Sequence, residues 1–287
     1  MGFNVAAELY GRFMGRYSEP LSALFSNYAG IAPGQRVLDV GCGPGALTAR
    51  LAEILGPQQV TAIDPSPPFV EATSTRCPGV EVRQGVAEQL PYPDATFDAA
   101  LAQLVVHFMR DPVAGLREMS RVTRPGGVIA ACVWDHAGGH GPVSTFWEVV
   151  HELDPNAGDE SQLAGVREGE LVRLFTDAGI TDVTDDRLTV RVQYRDFDEW
   201  WEPYTLGVGP VGDYLGGISE ADQEQIRREC ARRLPDTSFV VTAEAWAARG
   251  SGLGVLGPDE AVETEAGQPS GEHGQQHRPG GLVADQP

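Results

Sequence analysis

Lysine is missing altogether. All 21 basic residues are arginine, which removes the lysine that closes a Walker-type phosphate loop and the amine that a Schiff base needs. Cysteine is sparse. Cys42, Cys77, Cys132 and Cys230 lie far apart with no C-x-x-C pair and no histidine cluster beside them. That pattern suits reduced, mostly buried thiols better than a disulfide framework or a zinc site. No stretch reaches the roughly 18 apolar residues of a membrane span. The segment Met1-Gly2-Phe3-Asn4-Val5 lacks the basic and apolar regions of a secretory signal. A cytoplasmic location with no membrane insertion is therefore expected. Positive charge is also short: the formal net charge is −20, which speaks against a nucleic-acid groove or an anionic membrane partner. A last absence is local. Residues 250–287 contain no aromatic residue and are rich in Gly, Pro, Gln and Glu, so they are read as a disordered acidic tail.

What is present centres on Arg36-Val37-Leu38-Asp39-Val40-Gly41-Cys42-Gly43-Pro44-Gly45. The apolar run reads as a short buried strand of a parallel sheet. Glycines follow at once, and then a helical pattern from Ala46 to Leu55 stops at Gly56-Pro57. Strand, glycine turn and helix together make a small-molecule cradle. Gly41-x-Gly43-x-x-Ala46 also fits the loose dinucleotide pattern, so a nicotinamide-dependent oxidoreductase is the alternative. Asp39 weakens that alternative, because its carboxylate repels a diphosphate and suits a cationic amine. Pro44 weakens it again by removing one backbone donor.

Asp39, Gly41, Gly43 and Gly45 match motif I of the class I S-adenosylmethionine-dependent methyltransferases. The chain resembles the small-molecule group of that family that includes the ubiquinone and menaquinone biosynthesis enzymes, from about Tyr10 to Gly250. The resemblance implies an α/β, Rossmann-like, doubly wound and mostly parallel sheet with an N-terminal helical lid and a small insertion after the fifth strand. It implies S-adenosylmethionine as cofactor and in-line methyl transfer to a small organic molecule as activity. A non-catalytic cofactor-binding protein of the same fold is a further alternative.

At 287 residues and 41% hydrophobic content the chain can bury one α/β core with a modest cap. The organisation expected is a lid (1–30), a cofactor-binding core (31–134), a cap and helix facing the acceptor (135–180), completion of the core with a second insertion (181–249) and the tail (250–287). Residues 3–30 read as two amphipathic helices broken near Tyr17-Ser18-Glu19-Pro20. In the family resembled, this segment covers the cofactor, which implicates Tyr10, and Arg16 for the cofactor carboxylate. Further strands are expected at 59–64, 80–84, 97–102, 128–134, 182–195 and 239–247. Asp64 ends the second strand, where an acidic residue accepts bonds from ribose hydroxyls; Cys42, within the glycine turn, and Pro65, after Asp64, are further candidates for cofactor contact.

The stretch from Gly85 to Asp98 resembles the family's adenine-binding G-D-A-x-x-L-P segment, with Val86 in place of its Asp. Contact through the backbone of Val86 and Ala87 is expected instead. Gln103, at the carboxyl end of the fourth strand, is a candidate on position. His107 is the candidate general base toward the acceptor, with ordinary packing as its bland alternative. His136 and His140 lack a convincing third ligand, so no metal is assigned. The aromatics from Phe197 to Tyr204 either line an acceptor pocket or pack the insertion.

Overall fold

The computed structural model describes residues 7–252. Among them, seven strands form one sheet in the order β3-β2-β1-β4-β5-β7-β6. They are β1 (Val37–Val40), β2 (Val60–Asp64), β3 (Glu81–Gln84), β4 (Phe97–Gln103), β5 (Thr123–Trp134), β6 (Thr181–Tyr194) and β7 (Phe239–Ser251). The first five run parallel, whereas β7 is antiparallel to both β5 and β6. The acidic-tail reading of 250–287 falls, beyond Gly252, outside the described residues, while Gly250 and Ser251 belong to β7.

Strand burial explains the layering. Every residue of β1 and β2 is buried, as expected for central strands covered on both faces. Neighbouring residues Val37 and Leu38 belong to different apolar clusters, one on each face of the sheet, because successive side chains point opposite ways. At the edge, β6 alternates buried Leu188, Val190, Val192 and Tyr194 with exposed Thr189, Arg191 and Gln193. Among the described residues no helix is long and apolar enough to cross a membrane.

Ten α-helices are described: α1 (Ala7–Tyr10), α2 (Arg16–Tyr28), α3 (Ala46–Leu55), α4 (Pro67–Arg76), α5 (Pro112–Val122), α6 (Ser144–Leu153), α7 (Glu170–Asp177), α8 (Phe197–Trp201), α9 (Gly209–Gly216) and α10 (Glu220–Arg233). Helix α5 shows why they start where they do. Asp111 accepts the Ala114 N–H at 2.9 Å and Pro112 fills the first position. Leu116, Met119 and Val122 are then buried, and Leu116→Ala would cost about 2–5 kcal/mol.

The N-terminal segment corrects one expectation. The chain does not break at Tyr17–Pro20; Pro20 lies inside α2. The irregularity sits upstream, in a π-helical turn at Gly11–Gly15. Tyr17, Leu21 and Phe25 are fully buried, each contributing roughly 1.5–3 kcal/mol, which offsets the ~3 kcal/mol of an interior proline. The second aromatic cluster takes the packing role. Trp200, Trp201 and Tyr204 are buried, Trp201 and Tyr204 against Phe146 and Trp200 edge to face with Tyr204 at 4.7 Å.

Candidate functional site

The carboxyl ends of β1, β2 and β4 meet where the chain order reverses across the sheet, the place where open α/β sheets bind ligands. After β1 the backbone turns through Gly41, Gly43 and Gly45, all with positive φ, into α3. Gly41 has no substitute. A Cβ there would stand 2.5 Å from both Cγ atoms of Val105, with φ at +71°.

The loop's backbone donors are all engaged within the protein. Gly41 and Cys42 N–H groups donate to the Ile63 carbonyl at 2.7 and 3.1 Å, and Gly45 N–H donates to Cys42 O at 3.0 Å. Gly43 N–H donates to Asp64 Oδ2 at 2.9 Å, and Pro44 has no N–H. Residues 41–45 therefore have the shape of a phosphate loop while their own N–H groups are spent inside the protein.

Around this turn lies a cleft of about 740 Å³. Tyr10, Asp39, Gly41, Cys42, Gly43, Asp64, Pro65 and Gln103 all line it, and no arginine or histidine does among the described residues. Asp39 is buried and accepts the Thr48 hydroxyl at 2.6 Å; burial still pushes its carboxyl up to about 7, against that hydrogen bond. Asp64 bridges two loops, accepting N–H groups of Ser66 (2.8 Å) and Gly43 (2.9 Å). Burial raises it above the usual carboxylate range. Burial and then the Asp64 charge raise the Tyr10 phenol to about 12. Gln103 donates through Nε2 to Ser18 O and Ser22 Oγ, which fixes the amide and leaves its buried Oε1 without a partner.

Three expected cofactor contacts lie elsewhere. The Arg16 guanidinium pairs with Glu199 and sits 4.9 Å over the Tyr194 ring, on a surface groove shared with Arg12 and Arg195. A nearby carboxylate on α8 holds it away from the cleft. Val86 is 45% exposed and Ala87 is buried in the apolar cluster with Leu90 and Met119. Neither lines the cleft.

A second, smaller chamber adjoins the cleft, with Tyr10, Leu104 and Phe108 lining both. Leu104 is held with φ at +62° at the end of β4, and its N–H donates to Cys132 O at 2.8 Å. His107, His136, Trp134 and Glu160 line the chamber wall. The His107 and His136 rings are 6.1 Å apart. His107 Nδ1, Trp134 Nε1 and Glu160 Oε2 are buried without hydrogen-bond partners. Burial, then the neighbouring His136, lowers His107 to about 3, and burial lowers His136 to about 4. This argues against the general-base role expected for His107: a neutral imidazole so hard to protonate is a poor proton acceptor at neutral pH. Glu160 is the chamber residue that sequence reading passed over; it lies in a loop beyond every motif.

His140 belongs to a different network. Its Nδ1 meets Asp135 Oδ2 at 2.7 Å, and with Glu244 the three offer atoms within 4.8 Å of one another. Asp135 Oδ1 accepts the Gly138 N–H and Glu244 pairs with Arg187 of β6 at 2.9 Å, so both carboxylates are already engaged, while backbone bonds between Asp135, His140 and Glu244 fasten the loop to β7.

Comparison with known proteins places this geometry. A family model described as "Methyltransferase domain" matches residues 38–131. The rice (Oryza sativa subsp. japonica) chloroplastic 2-methyl-6-phytyl-1,4-hydroquinone methyltransferase 2 is 35% identical over 156 residues, 53% of this chain and 41% of its own. The chain spans about two-fifths of the length of the curated relatives it matches. Among solved structures, the YcgJ protein of Bacillus subtilis superposes with TM-score 0.54 at 22% identity, covering 80% of this chain and 97% of that one. A Haemonchus contortus phosphoethanolamine N-methyltransferase 2, in complex with phosphomonomethylethanolamine and S-adenosylhomocysteine, gives TM-score 0.54 at 15% identity, covering 86% and 57%. These two share the fold.

Proposed function

We propose, from the premise that residues 38–131 of this chain are a methyltransferase domain, that the protein binds S-adenosylmethionine in the cleft and methylates a small organic molecule. The observation that carries this reading is the inverted polarity of the glycine turn. Its N–H groups are all engaged, two buried carboxylates and the unpartnered Gln103 Oε1 face the ligand space, and among the described residues no cation lines it. Such a cleft suits a ligand with a ribose and a positive end.

Each residue then has a task. Asp64 keeps lone pairs for the ribose hydroxyls beyond the two it gives to Ser66 and Gly43. Asp39 supplies negative charge beneath the amino-acid end, and Gln103 Oε1, locked by its own Nε2 bonds, accepts an ammonium N–H. The cofactor supplies a sulfonium-borne methyl group, so the protein's main work is alignment and exclusion of water. Leu104 and Phe108 form the wall through which the two compartments meet.

Calorimetry tests the reading. S-adenosylhomocysteine is expected to bind and NAD to leave no heat; tight NAD binding with none for the homocysteine product would return the turn to a dinucleotide role. Transfer of a deuterated methyl group to an acceptor panel, followed by mass spectrometry, separates an enzyme from a cofactor-binding protein of the same fold.

A further inference from the structure

Among the described residues lining the smaller chamber, Glu160 is the sole carboxylate. It opens the short turn Glu160–Gln162, where Asp159 accepts the Ser161 N–H at 3.0 Å. Arg167 is taken up by Ser161 O and the Gln162 side chain, and no ion pair to Glu160 forms among the described residues. The charged and titratable groups around it are Asp159, on the same turn, His136, His107 and Tyr10 along the chamber, and Glu148 and His151 in the outer groove, while the Trp147 indole on α6 is a neutral N–H donor toward it. Glu160 and His136 also line an outer groove that carries Asp159 and His151. One carboxylate thus borders the chamber on one side and the outer groove on the other.

We propose that Glu160 is the general base of the reaction and that the acceptor is a neutral, largely apolar molecule bearing a phenolic or enolic hydroxyl. This rests on the methyl-transfer reading above and deepens it. Phe13, Met14, Trp134, Val208 and Pro210 make the remaining wall apolar, and among the described residues no arginine lines it, so an anionic acceptor finds no counter-ion among them. A neutral hydroxyl is a weak nucleophile and gains most from losing its proton as the bond forms. The acceptor oxygen forms the new O–C bond as the C–S bond breaks with its electron pair going to sulfur. The hydroxyl proton passes to Glu160 Oε2. A sulfonium and a carboxylate become a thioether and a carboxylic acid, which returns its proton to water through the outer groove. Burial supports the assignment by pushing Glu160 up to about 7, where it is both available and strong enough as a base.

The test uses the full chain saturated with S-adenosylhomocysteine and 2-naphthol, whose excited hydroxyl gives its proton to an adjacent base and then emits at longer wavelength. Wild type is expected to show naphtholate emission rising with a midpoint of about pH 7. Glu160→Gln keeps the shape, and is expected to bind 2-naphthol comparably while emitting only as the neutral form. On any phenol found to be methylated, the same variant is expected to lose about 100-fold in kcat. Naphtholate emission that persists in Glu160→Gln overturns the base. Absence of naphthol binding to the saturated wild type overturns the acceptor class. Failure of S-adenosylhomocysteine to bind overturns the cofactor reading instead.

Discussion

In the cleft, Asp39 and Asp64 are held by hydrogen bonds from Thr48, Ser66 and Gly43, whereas in the smaller chamber His107, Trp134 and Glu160 each keep a buried polar atom without a partner. Apart from Gln103 Oε1, the first compartment is fastened before any ligand arrives. The second holds polar groups whose desolvation is offset only when a ligand pairs with them. A compartment built the first way serves one ligand of fixed shape, and one built the second way selects by the polar group a guest brings.

The largest effect that separates the two compartments is expected at Gly41. Gly41→Ala forces a Cβ to 2.5 Å from Val105 at φ +71°. It is expected to cost about 2–5 kcal/mol in urea unfolding and to abolish S-adenosylhomocysteine binding. An unchanged unfolding midpoint would show that the turn yields, and that the cleft is less fixed than argued.

Next comes Asp64→Ala, expected to weaken S-adenosylhomocysteine by about 10- to 150-fold, the loss of hydrogen bonds to a charged group. Asp64→Asn should lose less, since one acceptor remains. Wild-type affinity in a folded Asp64→Ala variant would remove the ribose from the end of β2.

A smaller and pH-dependent effect is expected at Asp39, whose carboxyl sits near 7. A cationic ligand favours the carboxylate, so affinity should rise with pH through about 7, by up to about tenfold per pH unit below it. Without ligand the sign reverses. The raised value favours the protonated fold, so this contribution to stability is present below the unfolded value of 3.8 and is lost as pH rises through about 7. Asp39→Asn should flatten both curves in paired titrations and melts.

The smallest effect is His107→Ala, expected to leave S-adenosylhomocysteine affinity within about twofold, because His107 lines the chamber and not the cleft. A tenfold loss by calorimetry would merge the two compartments into one.

This contrast also explains what could be read from the sequence. The parallel half, the glycine turn and the cleft residues Asp39, Gly41, Gly43, Asp64 and Gln103 sit on contiguous strand-turn-helix segments, where periodicity and turn chemistry are local signals. The smaller chamber is assembled from Phe13 and Met14, Leu104 to Phe108, Trp134 and His136, Glu160, and Val208 to Pro210. Nothing in the spacing of those segments announces that they converge. Arg16 misled for the same reason: its local chemistry fits a carboxylate, and the carboxylate it meets is Glu199, on α8. Pro20 misled because burial of Tyr17, Leu21 and Phe25 outweighs a local breaker.

Strand β7 has a consequence for synthesis. It lies between β5 and β6 yet is made last among the described strands, so a nascent chain that has emerged to Tyr194 holds β6 with no neighbour in the sheet. At ribosomal rates of roughly 5–20 residues per second, the segment 195–238 keeps it waiting for a few seconds. During that interval β6 is a long strand with two open edges, the kind that pairs with other chains. Its charges at Asp182, Asp185, Asp186, Arg187 and Arg191 are then safeguards on the nascent chain as much as surface residues of the finished fold.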